Sequence, residues 1–103
     1  MIKHYYKVDK ELEKLPSKVR NKFFAVFNSF IANEQLKIKT LKKLKGSRFY
    51  EFRIRVDRNI YRSITVKVSP NIYVLLVFHK KSQKTPMQVL NLASKRYKDL
   101  FIK

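Results

Sequence analysis

Four apolar residues, Tyr50, Phe52, Ile54 and Val56, alternate with Glu51, Arg53 and Arg55. On a helix these positions would scatter around the cylinder. Only an extended chain gathers the four on one side and the three charges on the other. The middle of the chain therefore has to build a sheet with a half-buried strand. Two further segments extend it. Ile60–Ser69 carries Ile64, Val66 and Val68 on one face, and Ile72–Phe78 is an unbroken apolar run of strand length, which suits a central strand. Asp57-Arg58-Asn59 and Pro70-Asn71 separate these segments as turns, since Asp and Asn tolerate a left-handed backbone. The spacing predicts three antiparallel strands.

Around this sheet the period is helical. Ile2–Tyr6 reads as a short strand, Asp9 as an N-cap, and Glu11–Leu15 as the start of a helix that Pro16 interrupts. From Ser17, Val19, Phe23, Val26, Phe27, Phe30 and Ile31 recur at steps of three and four, a broad amphipathic stripe. Phe23, Phe27 and Phe30 are core residues in this reading, and the two helices form a hairpin. Residues Glu34–Lys45 read as a loop with at most a turn of helix, closed by Gly46. Pro86 suits the first turn of a last helix carrying Leu90, Ala93, Tyr97 and Leu100. The expected order is strand, two helices, three antiparallel strands, helix. That is an α+β fold in a single domain over residues 1–103.

Charge narrows the function. Lys plus Arg is 25 and Asp plus Glu is 7, so the net charge is +18. Such a field attracts a polyanion: nucleic acid, a ribosome, an acidic membrane or an acidic protein. The absence of cysteine excludes thiol catalysis, cysteine-ligated zinc and a disulfide framework. Two histidines and seven acids make a metal site or a metal-dependent nuclease improbable, and no cofactor is expected. No apolar run reaches the roughly 18 residues of a membrane span, and the start lacks a signal-peptide core. The expectation is a soluble cytoplasmic protein with no membrane partner. If it cuts nucleic acid, RNA is the suitable substrate, because its 2′-OH can attack the adjacent phosphate without a metal.

Three constellations are candidates for chemistry. Alternation places Glu51, Arg53 and Arg55 on one side of the sheet, and hairpin pairing brings Arg62 near. Converging cations can hold a phosphate, although a solvated face of a basic protein has the same pattern. Arg62 shares parity with Ile64 and Val66. Either that face lacks a covering helix or a bulge re-aims the arginine. His79, at the end of the apolar strand, is a candidate acid or base and equally a structural histidine, followed by the basic run Lys80, Lys81 and Lys84. Lys37, Lys39, Lys42, Lys43 and Lys45 have no interleaved aromatics, so they suit phosphate-backbone contact, or solubility alone, rather than base stacking.

The sequence resembles the RelE/HigB superfamily of type II toxins, in its phage-derived HigB-like branch. The residues that carry this are Leu44-Lys45-Gly46, Phe49 to Ile54, Tyr61-Arg62, Leu75 to Pro86, and Leu92-Ala93 with Arg96. Lys80-Lys81-Ser82-Gln83-Lys84-Thr85-Pro86 after an apolar strand is the most specific part. The resemblance implies a RelE-like fold with a small antiparallel sheet, an N-terminal helical hairpin and a C-terminal helix. It implies a ribosome-dependent mRNA endonuclease whose active face is basic. By position, Arg53 and Arg62 match basic catalytic positions and would hold the scissile phosphate. Lys80 or Lys81 matches the basic residue after the last strand, and Lys81 or Lys84 would assist. Glu51 stands where relatives outside the branch carry lysine, and Tyr97 is the candidate for a tyrosine some relatives use near the C-terminus. Glu51 and His79 are the groups of convenient pKa for proton transfer. Nucleic-acid contacts would fall to Arg55, Lys80, Lys84, Lys37, Lys39, Lys42 and Lys43. The implied partners are the ribosome, mRNA and a cognate antitoxin, acidic or helix-turn-helix and HigA-like. Two other readings are open: a non-catalytic nucleic-acid-binding phage regulator, and a ParE-like toxin that inhibits a protein target.

Overall fold

In the computed structural model, the structure describes residues 2–33, 41–44, 46–79 and 87–102. Among them are β1 (Ile2–His4), α1 (Val8–Glu13), α2 (Ser17–Asn33), β2 (Leu41–Lys43), β3 (Phe49–Val56), β4 (Asn59–Val68), β5 (Asn71–His79) and α3 (Met87–Phe101). The alternating segment is β3, the apolar run is β5, and Pro16 separates α1 from α2 as its missing N–H requires. Pro86 lies outside the described residues.

The sheet corrects the expected antiparallel one in two ways. It has five strands in the order β1-β5-β4-β3-β2, and it is mixed, because β1 pairs with β5 in parallel. The added strand, β2, lies inside the segment read as a loop and pairs antiparallel with β3. Three residues, two of them lysine, show no period, and lysine on an edge strand blocks further pairing. Asp9 is not the N-cap of α1. Lys7 is, without a side-chain cap, and Asp9 sits in the first turn, where a negative charge favours the helix dipole.

Both faces of the sheet are covered. On one, Val8, Leu12, Val19, Phe23, Phe27 and Phe30 from the helical hairpin pack on Phe52, Ile54, Tyr61, Ile72, Val74 and Val77. Phe27 and Phe30 meet Phe52 edge-on, each at 5.3 Å between centroids. On the other, Ala93 of α3 packs with Phe49, Ile64, Val66, Leu75 and Leu76, flanked by Tyr97 and Phe101. The apolar run of β5 is thus buried on both sides. It also bulges: Thr65 faces Val74 while Ile64 faces Leu76, so Leu75 is the extra residue.

The β3–β4 hairpin is a two-residue turn with Val56 opposite Asn59. Both turn residues take positive φ, 53° at Asp57 and 79° at Arg58. This hand matches the twist of the flanking strands.

Beyond the end of β1, helix side chains satisfy the edge of β5. Arg96 Nη1 donates to the Leu75 carbonyl at 2.8 Å, and the Val77 N–H donates to Glu11 Oε1 at 3.2 Å. Arg96 Nη2 and Glu11 Oε2 close the set at 2.7 Å. This clasp joins α1 and α3, which cover opposite faces.

Candidate nucleic-acid interface

Direct cross-strand partners share a face, so the pairing of β2, β3, β4 and β5 reads as rows across the α3 side of the sheet. One row is Phe49–Val66–Tyr73. The next is Lys42–Glu51–Ile64–Leu76, then Arg53–Arg62–Phe78, then Arg55–Ile60. α3 packs over the first rows, and Arg53 and Arg55 at the far end are exposed. This settles the parity of Arg62. It keeps the side of Ile64 and Val66 with no bulge in β3–β4 pairing, and its face is covered by α3 at one end only.

Within the rows the charges differ in burial. Glu51 and Arg62 are both buried, and Arg62 Nη1 donates to Glu51 Oε2 at 2.9 Å. Glu51 therefore does not share the solvated character of Arg53 and Arg55, its neighbours by alternation. Arg53 lies directly opposite Arg62 and is exposed. Lys42 lies opposite Glu51, also exposed. The structure thus brings Glu51, Arg53, Arg62 and Lys42 together, with Arg55 one row out. The Arg55 carbonyl accepts a hydrogen bond from Lys22 Nζ at 2.8 Å, tying α2 to this end of β3.

His79 falls elsewhere. It pairs with Tyr61, whose side chain belongs to the helical-hairpin face, and the two rings stack at 4.8 Å. Lys43 pairs with Tyr50, which packs against Phe30 on that same side. Lys37, Lys39, Lys45, Lys80, Lys81 and Lys84 lie outside the described residues.

Two arginines went unremarked as sites. Arg48 lies over the ring of Tyr97 with its guanidinium carbon 4.5 Å from the centroid, and its Nη1 donates to the Tyr97 hydroxyl at 2.5 Å. Arg96 is the buried partner of Glu11. A charged residue three positions after Ala93 on the core stripe was its signal in the sequence.

The few acids are largely engaged internally. Glu51 holds Arg62, Glu11 holds Arg96, Asp9 meets His4 at 2.9 Å, and Asp99 accepts from the Tyr5 hydroxyl at 2.8 Å. That last bond, reinforced by burial, pushes the Tyr5 phenol above its ordinary value. The basic excess is consequently what the surface presents. Among the described residues, no three His, Asp or Glu side chains converge as a metal cluster, and no helix is long and apolar enough to cross a membrane.

The family model described as Phage derived protein Gp49-like (DUF891) matches residues 10–98. No curated protein matches the chain.

Proposed function

The chain belongs to this Gp49-like, phage-derived family, part of the toxin superfamily of RelE and HigB, and from that premise we propose that it is the toxin of a type II toxin–antitoxin pair, acting as a metal-independent, ribosome-dependent mRNA endonuclease. The observation that carries the reading is the Arg53–Arg62 row at the uncovered end of the α3 face. Arg53, exposed, is the cation that meets the scissile phosphate. Arg62, fixed by Glu51, lies directly opposite it on the neighbouring strand. Lys80, Lys81 and Lys84, which follow β5 in sequence, are the further basic residues assigned to this reading.

In this mechanism the RNA supplies its own nucleophile. The 2′-hydroxyl gives up its proton as its oxygen attacks the adjacent phosphorus, the bond to the 5′-oxygen breaks and that oxygen takes up a proton, and the charge that builds on the phosphoryl oxygens is stabilised by the basic residues. The products are a 2′,3′-cyclic phosphate and a 5′-OH. The partner that restrains such a toxin is an antitoxin, whose acidic groups would answer a net charge of +18.

Expression in cells with mapping of RNA 5′ ends tests the reading. New 5′-OH ends within translated codons are expected. Growth arrest without new RNA ends would point to a protein target instead, and 5′-phosphate ends would refute the 2′-OH mechanism.

A further inference from the structure

At the opposite end of the α3 face from Arg53, a groove of about 950 Å³ runs between the Leu44–Phe49 turn and the C-terminal half of α3. Arg48, Phe49, Tyr97, Lys98 and Ile102 are among its walls, and none of its described lining residues is acidic. Phe49 and Arg53 share a face of β3 four residues apart, so the groove begins about 13 Å along the strand from the arginine row.

Arg48 is unusual for an exposed arginine because it is already ordered. Its guanidinium carbon sits over the Tyr97 ring, and one Nη donates to the Tyr97 hydroxyl. Tyr97 is itself wedged between Phe49, edge-on at 6.2 Å, and Phe101 at 4.8 Å. The rotamer entropy an arginine ordinarily loses on binding has been lost on folding. What remains is a rigid, flat cation lining a basic groove. A guanidinium plane of this kind is a stacking surface for a nucleobase. A carboxylate would instead seek the fork edge of the guanidinium, part of which the tyrosine hydroxyl occupies. Lys98 stands one residue after Tyr97 and is exposed, placed for a neighbouring phosphate, and Ile102 gives an exposed apolar rim.

We propose that this groove is a base-stacking subsite that holds single-stranded RNA beside the arginine row, with a base on the Arg48 plane and the adjacent backbone on Lys98. It rests on the reading of the chain as a protein that acts on RNA, and it adds where the strand lies.

The test is fluorescence anisotropy of the full chain with a short labelled 2′-O-methyl oligoribonucleotide, which cannot be cut, and with an abasic oligomer of the same length. Arg48→Ala should weaken binding of the base-bearing strand about tenfold, within the range for loss of one stacked base, and barely affect the abasic one. Arg48→Lys keeps the charge without the plane and should stay weak. Lys98→Gln should flatten the log–log salt slope by about 0.7, the value for one phosphate on a single strand. Equal binding by wild type and Arg48→Ala, or an equal loss on both oligomers, overturns the subsite. So does an Arg48-dependent complex with poly-glutamate in place of RNA. Mapped cleavage in cells together with Arg48-independent binding sinks the groove alone. Arg48-dependent RNA binding with no cleavage in cells sinks the nuclease reading and leaves the groove.

Discussion

Consider Arg62→Ala, the substitution that first suggests itself for testing the arginine row. In the fold, Arg62 and Glu51 lie 2.9 Å apart with each side chain 5% exposed. Removing the guanidinium takes from a buried carboxylate the cation it holds at 2.9 Å, and breaking a buried pair in this way costs roughly 3–5 kcal/mol. Domains of this size have a total stability of about 5–15 kcal/mol, so the variant stands near unfolding. A loss of toxicity in Arg62→Ala therefore says little about catalysis. The informative variant removes both charges: Glu51→Leu with Arg62→Met fills similar volume with apolar atoms and should be close to neutral or more stable. Urea unfolding followed by far-ultraviolet circular dichroism measures all three proteins, and an unchanged m-value shows that the same surface is exposed on unfolding. If Arg62→Ala costs less than about 1 kcal/mol, or the double variant is as unstable as the single, the argument from burial fails. A stable, folded double variant that no longer yields new RNA ends would then show that the Glu51–Arg62 pair serves RNA cleavage as well as the fold.

Arg53→Ala, at an exposed position, should keep stability within about 0.5 kcal/mol and lower cleavage by about 10²–10³-fold; counting mapped RNA ends against a melting curve checks both. Arg58→Gly should stabilise by roughly 0.5–1 kcal/mol, because Arg58 holds φ of 79° in the hairpin turn; a lower urea midpoint would contradict the turn geometry. The Tyr5 phenol is raised in the folded chain, chiefly by Asp99. Its contribution is thus full below about pH 10 and is lost as the pH climbs above that, since the unfolded chain releases the proton first. Tyr5→Phe should remove much of the alkaline decline in the urea midpoint, and an identical decline would place its cause elsewhere.

Where the sequence was legible, a period carried the information. The alternation from Tyr50 to Val56 and the stripe through Phe23, Phe27 and Phe30 both depend on burying one side of an element, and burial leaves its mark on every second or every third and fourth residue. β2 left no mark because three residues are too few for a period. The parallel pairing of β1 was invisible because a strand's pattern tells which side is buried and not which strand lies beside it. Glu51 was read as part of a solvated face because alternation assigns sides, whereas α3, distant in sequence, decides how far along a side water is excluded. His79 was named beside Glu51 for its convenient pKa and its place at the end of the apolar strand. An unbroken apolar strand such as Ile72–Phe78 has no alternation from which to learn that His79 faces the other way.

The Leu75 bulge bears on how chains of this kind should be aligned. It absorbs one residue without moving anything on either side, since Tyr61–His79 and Val68–Asn71 stay in step with the same faces of β4. A sequence shorter by one residue within β5 could keep every one of these pairings as a plain ladder, losing the buried Leu75 side chain and the carbonyl that Arg96 holds. An alignment that sets the gap instead in the turn at Ser69–Pro70 would shift the part of the strand before Leu75 by one. It would set the equivalent of Ile72 against Val66 and exchange the two sides of the sheet for Asn71 through Val74. Insertions and deletions in the strand are thus to be counted at Leu75, and equivalence of residues judged by what stands opposite Val66.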